Sequence, residues 1–371
     1  MKTHLKHPRW LLVGVAGFAL AACGTEGTTS DDYAEAIPSA STVELALEED
    51  DGGALTSDSA LEGDPSTFRA RAREIVERVN AAIRTTHERI DEITSSVEPT
   101  ELELRRLSCK QWETTIDEGL DVRVRSCLLD RRAKRFVYSL EARAAESDDD
   151  AAYLPIVGGR GIKLPRFEGE RRGVGQVGYN FDNLASLLGE GLVGKVGVGY
   201  RHAGRARQLD LGLLQFGVMG STDLLNARFH FMHVLGRGGF LRHIRFGDFL
   251  TRDESDHLIG GADGLKEVGR IALAWSRSGA ARVVAAACGG TVGEGECVRV
   301  VQCYQASGAV SYEDVAAESA AITWDEAACP EVPMPPMGAP GEGEVGAPPA
   351  GSDADVPGPS MEEPPALPDF E

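Results

Sequence analysis

The sequence predicts an α+β domain: a long N-terminal helix packed on a curved antiparallel β-meander of about seven to ten strands, with disordered flanks. Three observations predict it. A helical stripe of apolar residues follows Asp64-Pro65, the apolar period changes to two after Pro99, and short alternating segments are then separated by glycine-bearing turns.

The helix comes first. Asp64 supplies a capping carboxylate, and Pro65 sits where a missing N–H costs nothing. Phe68, Ala72, Ile75, Val79, Ile83, Ile90, Ile93 and Val97 form one stripe, interrupted near Thr86 and His87. Arg73–Glu77 and Glu74–Arg78 add i,i+4 pairs on the wet side, and Pro99 ends the run. At 1.5 Å per residue the helix is roughly 48 Å long, enough to lie across a sheet.

Strands follow. Leu102-Glu103-Leu104-Arg105 alternates, as does Val122-Arg123-Val124-Arg125, around a turn at Asp117-Glu118-Gly119. Cys109 and Cys127 are equally distant from Glu118, so a simple hairpin sets them opposite each other, within reach of a cross-strand disulfide. Further hairpins turn at His202–Arg205, Gly236–Gly239 and Ser276–Ala280, and a loop over Gly289–Glu296 joins two more segments. Val196, Val198 and Tyr200 share one strand face, while Gly197 and Gly199 leave the other bare, which suits bending or close approach.

Charge divides the chain further. The net charge is −20, yet Gly24–Asp64 holds 12 acidic and no basic residues, and Pro330–Glu371 holds nine acidic, none basic, and 12 of the 18 prolines. That leaves residues 65–329 nearly neutral at −2. Neither flank shows an apolar period that would offset its ordering entropy. The expected organisation is an export signal over 1–22, an acidic disordered tether over 23–63, the folded domain over 64–329 and a proline-rich acidic tail over 330–371.

Lys2, Lys6 and Arg9 precede an apolar run, Trp10–Leu20, that ends in small residues. This is the order of an export signal, and the run is too short for the ~20 residues of a spanning helix. Leu20-Ala21-Ala22-Cys23-Gly24 resembles the lipobox of bacterial lipoproteins. The resemblance implies cleavage after Ala22, acylation of Cys23, and a membrane partner reached through that anchor. Gly24, where an aspartate would favour inner-membrane retention, implies the outer membrane if the host has two. A helix followed by a curved meander in a lipidated protein is also similar in architecture to lipoprotein carriers of the Lol type, which implies a lipid or lipoprotein carrier as the alternative.

With Cys23 set aside, six cysteines remain, and in an exported protein they read as disulfides rather than thiolates. Hairpin symmetry favours Cys109–Cys127, the intervening loop favours Cys288–Cys297, and Cys303–Cys329 is left. Two G-x-G-x-x-G matches, Gly173/Gly175/Gly178 and Gly189/Gly191/Gly194, lack the strand–helix context of dinucleotide binding, so no cofactor is expected. His230 and His233 are three apart and diverge on a strand, and Asp148–Asp150 lacks calcium-loop spacing, so no metal site is assigned. No G-x-S-x-G occurs and no catalytic residue is assigned; an envelope hydrolase stays as an alternative in which scattered Ser, His and Asp converge.

One charge asymmetry remains. Arg160–Arg252 holds 14 basic and seven acidic residues, with Arg201, Arg205 and Arg207 near one turn and Arg237, Arg242 and Arg245 near another. This is a candidate basic face for an anionic lipid, lipopolysaccharide or acidic glycan; solvated strand edges are the plain alternative. Nucleic acid is excluded by the overall charge and the absence of interleaved aromatics. The sequence thus points to a lipid-anchored envelope protein acting as a non-enzymatic binding or structural module, with an unidentified protein partner as a further ligand class.

Overall fold

The computed structural model describes residues 29–45, most of 66–318 apart from short loop segments, and Val332. The elements run α1 (Ser30–Glu35), α2 (Ala40–Val43), α3 (Ser66–Ser96), β1 (Thr100–Leu104), β2 (Leu107–Ile116), β3 (Leu120–Asp130), β4 (Arg135–Ala144), β5 (Leu154–Phe167) and β6 (Glu170–Asn180). After α4 (Phe181–Leu188) come β7 (Leu192–Ala203), β8 (Ala206–Val218), β9 (Leu225–Val234), β10 (Gly238–Gly247), β11 (Leu250–Arg252) and β12 (Leu258–Gly260). The last described elements are β13 (Glu267–Ser276), β14 (Ala281–Cys288), β15 (Cys297–Tyr304) and β16 (Val310–Glu318).

The expected architecture, a long helix on seven to ten strands, is overturned. One open antiparallel sheet of 14 strands dominates, each strand paired with the next, while β11 and β12 form a separate two-stranded excursion between β10 and β13. The undercount has a physical cause in β5 and β6. Their glycine-rich stretches, Gly158–Gly161 and Gly173–Gly178, look like loop sequence, but aromatic rings from neighbouring strands fill the missing side-chain space. A Cβ on Gly159 would lie 2.4 Å from the Tyr138 ring, and one on Gly161 would lie 2.5 Å from Tyr200 Oη. Glycine here makes room for a cross-strand ring.

Laid flat, 14 strands would span roughly 60 Å. Instead, residues from β2 through β15 share one core with α1, α2 and α3, so the sheet curls around them. The inner face follows the period of two: Leu120, Val122 and Val124; Phe136, Tyr138 and Leu140; Val196, Val198 and Tyr200; Leu209, Leu211 and Leu213. Val76, Val79, Ile83, Ile90 and Ile93 of α3 meet that face. The outer face of β7–β9 carries Lys195, Arg201, Asp210, Arg228 and His230. Apolar-in and polar-out is the reverse of the pattern a lipid-embedded barrel requires.

β4 and β14 are buried on both faces. Val283 and Ala285 join the inner core, while Phe240, Ala274, Ala280 and Val332 cluster separately beside it. Val332 falls inside the stretch expected to be tail, so the packed part of the chain reaches beyond residue 329. The remainder of 330–371 lies outside the described residues.

Candidate functional site at the N-terminal latch

The expected tether is partly structured. Thr29 caps α1: its side chain accepts from the Asp32 N–H, while the Asp32 carboxylate accepts from the Thr29 N–H at 3.1 Å. Tyr33, Ile37, Val43 and Leu45 are buried in the main core, and Tyr33 Oη donates to Ser108 Oγ at 2.7 Å. The Asn80 side chain of α3 clamps the Leu45 backbone at both ends, accepting its N–H at 2.9 Å and donating to its carbonyl at 2.8 Å. Arg207 donates to the Glu44 carbonyl. Residues 29–45 are therefore a latch on the domain, and disorder over 23–63 is corrected for this stretch.

Charge fixes where the latch sits. Lys163 Nζ lies 2.5 Å from Asp32 Oδ1 and 2.7 Å from Glu35 Oε2, and Arg166 reaches Glu35 at 2.6 Å. Burial would raise both carboxyls, but hydrogen bonds from Lys163, joined at Glu35 by Arg166, hold them below the ordinary carboxylate range. Between α1, the C-terminal turns of α3 and the β5–β6 hairpin lies an open groove lined by Asp31, Glu35, Asp91, Glu92, Arg166 and Arg171. Across it Arg171 donates to Asp91 at 2.7 Å.

Behind the latch, α3 is pinned to the sheet by a buried polar pair. His87 Nε2 lies 2.6 Å from Tyr179 Oη, and both residues are almost fully buried. His87 Nδ1 approaches the Pro38 backbone without a hydrogen bond of ordinary geometry. Burial dominates and pushes the imidazole down to about 4. His243 is also buried, stacked on Phe229 with ring centroids 4.4 Å apart, and burial pushes it down to about 3.

A meander sends alternate turns to opposite rims. On the rim that holds α1, the turns over 129–135, 165–169, 203–206, 235–237 and 277–278 carry Arg131, Arg132, Lys134, Arg135, Arg166, Arg205, Arg237 and Arg277, all exposed. Their acidic residues are Asp130 and Glu168. On the far rim the described loops carry Glu146, Asp148, Asp149, Asp150, Asp182, Glu190, Asp248, Asp263, Glu294 and Glu296 against Arg252 and Lys266. The strand-connecting turns are thus polarised in charge, while α1 and the last turns of α3 bring Asp31, Asp32, Glu35, Asp91 and Glu92 to the arginine-bearing rim, where Lys163, Arg166 and Arg171 pair with Asp32, Glu35 and Asp91.

The six arginines chosen from the sequence do not form one face. Arg205 and Arg237 do come together, on adjacent turns linked by the Leu235 N–H donating to the Arg205 carbonyl at 3.0 Å. Arg201 points outward from β7, whereas Arg207 points inward toward the latch. On β10, Arg242 lies outward over the Phe240 ring and Arg245 takes the opposite face. Residues an odd number apart on a strand must diverge, so clustering in sequence misled here.

The cysteine expectations are met at two pairs: Cys109–Cys127 and Cys288–Cys297 are disulfides, each across directly paired strand positions. Cys303 is disulfide-bonded and buried, while its expected partner Cys329 lies outside the described residues, as do Ala22 and Cys23. His230 bonds Asp210 at 2.6 Å on the outer face, with Gly199 and Arg242 as the flanking cross-strand residues, and His233 is buried inside beside Trp275. The first G-x-G-x-x-G match lies on β6, and the second spans the C-cap of α4.

One carboxylate cluster escaped the sequence reading. Asp248, Asp263 and Glu267 converge at the far rim because the β11–β12 excursion folds back. Backbone donors engage them: Asp263 and Gly264 N–H on Asp248, Leu265 N–H on Asp263, and Leu250 and Thr291 N–H on Glu267. They act as loop staples. Among the described residues, no helix is long and apolar enough to cross a membrane. The chain matches no known protein family, no curated protein and no solved structure.

Proposed function

We propose that this chain is a lipid-anchored cell-envelope protein, tethered through Cys23, whose sheet domain binds a partner or serves structurally rather than catalysing a reaction. The observation that carries the proposal is the nearness of the structured latch to the lipobox-like segment in the chain. Thr29 stands six residues after Cys23, so the lipobox-like segment leads directly into the latch. Two disulfides support an oxidising compartment. The inner face, where a carrier would hold its cargo, is filled by Val76, Val79, Ile83, Ile90 and Ile93 of the chain's own helix, which supports the binding or structural role over carriage.

Mass spectrometry of the mature N-terminus from isolated envelopes tests the anchor. Wild type is expected to begin at an acylated Cys23, and the Cys23→Ser chain to lose both the acyl mass and membrane retention. An unmodified Cys23 in wild type overturns the proposal. The outer membrane is the expected destination, read by separating the two membranes in a host that has them.

A further inference from the structure

We infer that the basic rim rests on the anionic surface of the bilayer that holds the anchor, an inference that builds on the lipid-anchor proposal. Cys23 and Thr29 are six residues apart, and six residues reach at most about 20 Å. That is roughly two Debye lengths at 0.1 M salt. The latch fixes the exit point: Lys163, Arg166 and Lys134 hold the carboxylates of α1 at the basic rim. The anchor therefore draws that rim, and not the acidic one, toward the membrane.

The rim has the chemistry an anionic bilayer selects. Lys134 and Arg166 face the α1 carboxylates, which leaves Arg131, Arg132, Arg135, Arg205, Arg237 and Arg277 exposed on successive turns. Leu129 (41% exposed) and Leu235 (52%) stand among them, suited to the headgroup–acyl boundary. The acidic rim lies a strand length away, about 35 Å for ten residues, and repulsion turns it outward. Val218 and Met219 are exposed on that acidic rim, so apolar insertion alone would favour the opposite pose. Charge and anchor act together against it.

The test uses the full acylated chain in vesicles of phosphatidylcholine, with or without about one-third phosphatidylglycerol. Amide hydrogen exchange is read at the Leu129–Arg135 turn, the Leu235–Arg237 turn and the acidic loop near Asp148. Anionic vesicles are expected to slow exchange several-fold at both basic turns, to leave the acidic loop unchanged, and to lose the effect in high salt. Equal exchange in the two lipids, or protection of the acidic rim, overturns the inference. Reversing Arg131, Arg132 and Arg237 to Glu is expected to remove the protection. A circular dichroism melt checks that the variant is folded, and the wild-type salt series stands without it. The anchor is scored separately from the mass of Cys23. An unmodified Cys23 sinks the anchor proposal, while sedimentation of that same chain with anionic vesicles still decides whether the rim binds, with at least about a hundredfold weaker binding expected for the triple reversal at low salt.

Discussion

Acid should loosen this domain through His87 before its surface carboxylates explain the loss. The imidazole ordinarily titrates at 6.5, but burial against Tyr179 lowers it to about 4 in the folded chain. A depressed histidine binds fewer protons folded than unfolded, so its contribution is fully present above pH 6.5 and declines as pH falls toward 4. The gap of about 2.5 pH units corresponds to about 3 kcal/mol at full protonation. The comparison is wild type against His87→Gln, which keeps a hydrogen-bonding partner for Tyr179 Oη and does not titrate. Urea unfolding is followed at several pH values through tryptophan fluorescence, with the buried Trp112 as reporter. Asp32 and Glu35, whose folded pKa values are also lowered, lose stability in both chains as pH falls, so their effect cancels in the difference. Wild type is expected to lose about 3 kcal/mol more than the variant between pH 7 and 4. Parallel stability–pH curves would refute the reasoning.

Two further predictions concern the sheet. Replacing Cys109 and Cys127 together by Ala opens a loop of 18 residues and should lower stability by about 3 kcal/mol in urea; a loss below about 1 kcal/mol would remove the bridge from the list of main stabilisers. Gly175→Val should cost at least about 1–3 kcal/mol, because its Cβ would meet the Arg160 carbonyl at 2.4 Å and Gly161 Cα at 2.7 Å, backbone atoms that cannot swing aside. A Gly175→Val chain melting with wild type would show that the two strands separate at no cost.

Some of this architecture was legible in the sequence because it depends on local symmetry. The β2–β3 hairpin is an example: equal spacing about Glu118 set Cys109 opposite Cys127, and the register realises it. The loop over Gly289–Glu296 likewise joins two paired strands, β14 and β15, as its flanking segments imply. What was illegible depends on partners distant in sequence. β5 and β6 are strands because Tyr138 and Tyr200 lie over their glycines, and nothing inside Gly173–Gly178 announces those rings. The latch had a local signal, the Thr29–Asp32 capping box followed by Tyr33, Ala36 and Ile37 at helical spacing, but the acidic surroundings obscured it. Asp248 and Glu267 meet only because the intervening excursion doubles back.

The polarised rims belong to the same class. A window from Arg160 to Arg252 mixes both rims and both faces, so its positive balance says little about any surface. Sorting by strand direction separates arginine-bearing turns from acidic loops with almost no overlap. In a meander this needs only that alternate turns differ in composition, so charge polarity can be changed without touching the core. The latch gives the polarity a mechanical meaning. Without it, the stretch from Cys23 to Ser66 would act as a flexible coil with a root-mean-square reach of roughly 36 Å, and the domain could present any surface to the membrane. With residues 29–45 clamped by Asn80 and Lys163, that reach contracts to the six residues before Thr29, and α1 itself is held on the arginine-bearing rim. Lysine–carboxylate pairing at α1 thus couples the proposed anchor to one rim. Acid that protonates Asp32 and Glu35 weakens this pairing, while protonation of His87 loosens the helix behind it. The mount and the core it is fixed to therefore fail in the same direction as pH falls.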